Sequence, residues 1–197
     1  MKIKTTLGVL FTLTVFAILL SGIALADKKQ TKQDPEQISE STEMLNMNWP
    51  EGGQWHSGLK KTYGLSMIEF FYPKDQSQSN WTEMGSTEIN PITKEVPIIS
   101  TARSIFLGTQ KASPEATWDI LERGTSENGN KYVLFEIICP EFRTKEDPQI
   151  QYWKLIDGKL KSYTVQYSFK GTTIPEDKKK EILDAIKKSK LITAKKI

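Results

Sequence analysis

The chain has one cysteine, Cys139, and one histidine, His56. A single cysteine excludes an internal disulfide, and one residue of each type excludes a zinc site, which needs several Cys or His ligands. The Gly-x-Ser-x-Gly elbow that would supply the serine of a hydrolase triad is also missing. His56 therefore stands alone beside Trp55, where a histidine is more often structural or solvent-facing than a general base. No cofactor motif, internal repeat or low-complexity segment is present. Metal binding through carboxylates alone is the one metal chemistry the composition leaves open.

What is present at the start is an export signal. Lys2 and Lys4 precede an apolar run from Leu7 to Leu20, and Ala24-Leu25-Ala26 supplies a small-x-small exit. This order predicts a signal peptide over 1–26, cleaved after Ala26. An uncleaved anchor is the alternative, since the run nearly reaches spanning length. Charged, polar sequence directly after Ala26 favours cleavage, and a lipid anchor would need a cysteine there. The expected product is extracytoplasmic, periplasmic or secreted.

From residue 27 onward the chain carries 25 basic and 24 acidic residues. So small an excess, in an exported protein, excludes nucleic-acid binding driven by a basic field. The charge is unevenly placed: residues 154–197 hold 12 lysines against five acids, whereas residues 27–153 hold 13 basic against 19 acidic residues. Opposite-sign halves attract within one fold, and a lysine-rich last helix keeps a surface soluble. The sharper reading is a basic surface for anionic lipid or an acidic partner.

Residues 27–46 are polar and without periodicity, and are expected to form a flexible leader to a single domain over 47–197. Trp49-Pro50-Glu51-Gly52-Gly53 has turn chemistry. Strands are expected over 54–61, 65–72 and 81–89. Apolar residues at Ile98, Ile99, Ala102, Ile105 and Phe106 then fall on one helical face. Further strands are expected over 117–122, 131–139, 149–156 and 160–169, the last two joined at Asp157-Gly158. Thr173-x-x-Glu176 has capping-box spacing before a helix striped by Ile182, Leu183, Ile186 and Leu191. Three strands, a helix, four strands and a helix define an α+β class, a mainly antiparallel sheet of about seven strands covered by two helices. Strand 131–139 is apolar on both faces and should be central, covered on both sides.

Several short motifs carry a resemblance. Asn80-Trp81-Thr82-Glu83-Met84 follows a strand ending at Tyr72-Pro73, and Cys139-Pro140 is followed by Trp153-x-x-Ile156-x-Gly158 and Tyr163-x-Val165-Gln166. This order resembles a group of small exported proteins of Gram-negative bacteria, mostly of unassigned function, over Trp55 to Leu191. The element order also resembles the PsbP/Mog1 fold, a sheet sandwiched by helices. That resemblance implies a binding or accessory module rather than an enzyme, although fold alone does not give function.

Four residues are the candidates for a binding site: Trp81, Glu136, Lys154 and Gln166. Glu136 interrupts an apolar strand, and a buried carboxylate there needs a partner or a raised pKa. Lys154 on a neighbouring strand is the expected ion-pair partner. Gln166 interrupts its strand in the same way and joins Glu136 in a polar patch if the hairpin register allows. Trp55, Trp81, Trp118 and Trp153 read as core aromatics, Trp81 being the one beside a polar loop. Cys139 reads as a small buried hydrophobe. The sequence thus points to an exported, soluble, non-enzymatic binding or accessory domain for an unidentified protein or small ligand. The alternatives are a small hydrolase using Glu136 or His56, and peripheral membrane attachment through the lysine-rich last helix.

Overall fold

Val133, Phe135 and Ile137 lie on one side of β6 (Lys131–Cys139), and Leu134 and Glu136 on the other. This alternation follows from the pleat, and apolar side chains on both sides require cover on both faces. The computed structural model describes residues 43–50, 54–91, 96–142, 147–159 and 161–193. The signal-peptide reading and most of the leader lie outside the described residues.

Seven antiparallel strands form the sheet. They are β2 (Trp55–Tyr63), β3 (Ser66–Pro73), β4 (Glu83–Pro91), β5 (Thr117–Thr125), β6, β7 (Gln149–Asp157) and β8 (Lys161–Lys170), in the order β2-β3-β4-β8-β7-β6-β5. Helix α1 (Ile98–Gln110) packs Ala102 and Ile105 onto Phe135, Ile137, Trp153 and Leu155 of one face. Helix α2 (Glu176–Lys188) packs Ile182 and Ile186 onto Leu134, Tyr152, Val165 and Tyr167 of the other. Each fully buried isoleucine contributes about 1.5–3 kcal/mol. The described residues therefore form an α+β fold, with a seven-stranded antiparallel sheet and two helices.

Two short strands lie outside this sheet. β1 (Glu43–Asn46) pairs antiparallel with β9 (Lys190–Thr193). The flexible-leader expectation for 27–46 is thus corrected at its end. Leu45, Met47 and Trp49 alternate along an extended segment and pack against the core on the α2 face. The signal was a period-two repeat hidden between charged and turn-forming residues. The expected turn at Trp49–Gly53 lies largely outside the described residues; the ring of Trp49 itself lies on Gly85, where a Cβ would approach within 2.3 Å of it.

Two other expectations change. The third strand begins at Glu83 rather than Trp81, because Gln76 Oε1 accepts from the backbone N–H of Thr82 (2.6 Å) and Glu83 (3.0 Å) and holds Trp81 in the preceding loop. The capping box of α2 does not form; Pro175 is the N-cap, with no side-chain cap. Glu176 and Asp177 in the first turn and Lys187 and Lys188 in the last complement the helix dipole instead.

Candidate functional site

On the α2 face, one arrangement occurs three times. A sheet tyrosine donates its hydroxyl to a sheet glutamate, and that carboxylate faces a lysine of α2. Tyr167 donates to Glu83 Oε2 at 2.5 Å, with Lys178 Nζ 3.2 Å from the same oxygen. Tyr152 hydrogen-bonds Glu136, and Lys179 Nζ lies 3.2 Å from Glu136 Oε1. Tyr132 donates to Glu122 Oε1 at 2.7 Å, with Lys187 Nζ 3.1 Å from Oε2. Burial and the neighbouring carboxylates push the Tyr152 and Tyr167 hydroxyls far up, so both remain donors. The hydroxyl of Tyr132 and the ammonium of Lys187 hold Glu122 below its ordinary range.

The expected Glu136–Lys154 ion pair is not made. Strand register places Glu136 opposite Tyr152 and Lys154 opposite Leu134. Lys154 points instead at the C-terminal end of α2, donating to Lys187 O (2.8 Å) and Ser189 O (2.7 Å). A helix leaves its last carbonyls without intrahelical partners, and a buried ammonium satisfies them. Burial nevertheless disfavours the charged form, so the Lys154 pKa is lowered.

Gln166 does not join Glu136 either, since it pairs with Trp153 across the strands and so lies on the α1 face. There it accepts from Ser86 Oγ (3.0 Å) and donates to Ser168 Oγ (2.9 Å). Beside it runs a directional hydrogen-bond chain. Trp153 Nε1 donates to Gln151 Oε1 (3.0 Å), Gln151 Nε2 to Gln149 Oε1 (3.1 Å), and Gln149 Nε2 to Asp147 Oδ2 (3.1 Å). The chain emerges at the sheet end holding Trp81. There Lys170 Nζ lies 3.2 Å from Asp147 Oδ1 and 4.5 Å from the centre of the Trp81 ring.

Of the four sequence candidates, Trp81 and Gln166 thus belong to the α1 face, and Glu136 and Lys154 to the other. His56 is exposed on the edge strand with its ring 6.2 Å from Tyr72. It shares no site with Glu136.

Sequence reasoning missed Asp147, Gln149, Gln151 and Lys170. Gln149-x-Gln151-x-Trp153 was a visible period-two signal, but its side chains meet only because one face of β7 turns them inward. Glu88 was missed too. It sits on the α1 face of β4 opposite Thr164, and burial pushes its carboxyl up to about 7. Among the described residues, no group of three or more His, Cys, Asp or Glu is placed to hold a metal ion. Burial also pushes the Cys139 thiol up to about 11.

No family model matches the chain, and no curated protein does. Among solved structures it is similar to the solution structure of cyanobacterial PsbP (CyanoP) from Synechocystis sp. PCC 6803. The identity is 12%, the match covers 83% of this chain and 98% of that one, and the TM-score is 0.48. A likeness at that level concerns the run of the backbone and leaves function to the side chains.

Proposed function

We propose that the protein is an exported, soluble binding or accessory domain, and that it makes contact through the sheet end formed by Trp81, Asp147, Gln149 and Lys170. The observation that carries this reading is the amide chain from Trp153 to Asp147. Buried polar side chains in the centre of a sheet are costly unless every member is satisfied, and satisfied chains polarise one another. This one ends on Asp147 and Lys170, a partly exposed ion pair lying over the buried ring of Trp81, where it fixes the geometry of the two charges that a partner can meet. The partner is a protein or a small ligand with polar or charged groups that match Asp147 and Lys170. Export follows from Lys2, Lys4, the Leu7–Leu20 run and Ala24-Leu25-Ala26, with Asp27 as the first residue of the working chain.

The other two sequence readings have less support. Glu136 is engaged by Tyr152 and Lys179, an arrangement that holds a helix rather than exposing a base. Lys178, Lys179 and Lys187 of α2 face sheet carboxylates, which removes three charges from any lipid-facing surface of that helix.

A photo-crosslinking residue at Lys170, in protein produced by its own host, tests the reading. A discrete adduct is expected, absent with the same residue at Leu107 and reduced by Gln151→Leu. Equal labelling at both positions would remove this end as the contact site. N-terminal sequencing of the recovered protein should begin at Asp27.

A further inference from the structure

Seven large apolar side chains are exposed among the described residues, and five of them are carried to one end of the sheet. The antiparallel register fixes which end this is. Tyr63 and Leu65 are at the β2–β3 turn, next to the strand ends Pro91 and Lys161 and the β7–β8 turn at Asp157. Val96 precedes α1, which begins at this end, since its C-terminal side leads to β5 at the opposite one. Met44 and Ile192 are direct cross-strand partners on the β1–β9 ribbon. The ribbon is tied to the same end by Glu43, whose carboxylate accepts the backbone N–H of Lys159 at 2.9 Å. Leu65 is 84% exposed, Met44 54% and Val96 49%.

We infer that this end of the sheet rests on an anionic lipid surface, with the turn residues Tyr63, Leu65 and Val96 and the ribbon pair Met44 and Ile192 entering the interface. The residues come singly or in pairs from separate elements rather than from one flat patch. A bilayer accepts such side chains individually, whereas a protein partner needs a continuous complementary surface. The charge around them fits as well. Lys131, Lys159 and Lys161 are exposed at the same turns. Of the acids there, Glu43 accepts from the turn backbone and Asp157 is half-buried, so Glu127 is the fully exposed one among those named. This surface is distinct from the α2 lysines, and it turns the Trp81 end away from the lipid.

The test is depth-dependent quenching on the full chain. An environment-sensitive fluorophore is placed singly at Leu65, Val96, Ile192, Leu107 or Leu121 in a Cys139→Ser background. The probe is vesicles of phosphatidylcholine with about one-third phosphatidylglycerol. Because every variant carries the same N-terminal segment, only the labelled position differs. Labels at 65, 96 and 192 should shift to the blue and be quenched by lipid-borne quenchers, while those at 107 and 121 stay in water. Leu65→Asp with Val96→Asp should then lower quenching of the label at 192 several-fold, with an unchanged circular dichroism spectrum. All labels remaining in water, or quenching equal at all five positions, overturns the inference. So does burial of the three labels only on adding host protein extract without vesicles, which would make the partner a protein.

Discussion

Lys154 Nζ lies 2.7 Å from Ser189 O, so a sheet lysine closes the end of the helix that covers it. Ser189 is itself shared: its hydroxyl donates to Ala185 O at 3.2 Å and accepts from the backbone N–H of Asn48 at 3.2 Å. One buried node therefore joins β7, the end of α2 and the segment following β1. Lys154→Met keeps the aliphatic stem but leaves carbonyls of Lys187 and Ser189 unsatisfied in an apolar setting. A loss of about 2 kcal/mol is expected, read as a lower urea midpoint with an unchanged slope. Increased amide exchange confined to 186–193 and 43–48 should accompany it, and exchange unchanged there would disprove the capping role.

Gly85 makes room for Trp49. A Cβ at 85 would sit 2.3–2.7 Å from three ring atoms, which a rigid indole held between Trp55 and Phe71 cannot accommodate in place. Gly85→Ala should cost about 2–3 kcal/mol through overpacking. Adding Trp49→Leu should return part of it, because the clash is then gone. Thermal unfolding of the two single variants and the double variant checks this.

Glu88 gives the stability a pH dependence. Its folded pKa, about 7, lies above its ordinary value, so the folded state holds the proton more tightly than the unfolded one. Stability from this group is present in full below about pH 4.5 and is lost as pH rises through 7. Glu88→Gln should therefore match the parent at pH 4 and exceed it at pH 8, on the order of 1–2 kcal/mol once partial exposure is allowed for. Denaturant midpoints at the two pH values measure the difference. An equal offset at both would mean that the carboxyl does not titrate in this window.

Cys139 is a buried thiol whose pKa is pushed up to about 11, leaving little thiolate at neutral pH. A maleimide reagent should label it slowly in the native protein and quickly in denaturant. Cys139→Ser places a hydroxyl in an apolar cluster with the Ser113 hydroxyl to pair with and should cost on the order of 1 kcal/mol. Rapid native labelling would contradict the burial.

The sheet and both helices were legible because long strands and helices announce themselves by period. Strand 131–139 was readable to the residue, and its two apolar faces correctly required cover on both sides. Boundaries failed where side chains of other segments intervene, as Gln76 does in delaying β4 beyond Trp81. β1 and β9 failed because four residues with one or two inward side chains carry too short a pattern. Site residues were harder. Glu136 is visible in the sequence as a polar group in an apolar strand and Lys154 as a charge on a neighbouring one, but a strand sequence does not say which element lies above it. Their partners, Lys179 and the end of α2, are remote in the chain. Whether Gln166 shares a face with Glu136 depends on a register that only the folded hairpin fixes.

Whether Glu136 holds a helix or does chemistry is decided by a double-mutant cycle between Glu136 and Lys179. Glu136→Gln and Lys179→Met are each expected to cost about 1 kcal/mol, because either leaves the other charge in a half-buried setting. The double variant should lose clearly less than the two costs combined, whereas Glu136→Gln with Lys178→Met should show far smaller coupling. Additive costs for Glu136 and Lys179 would contradict the account, and so would a fully stable Glu136→Gln protein that has lost a measurable hydrolytic activity.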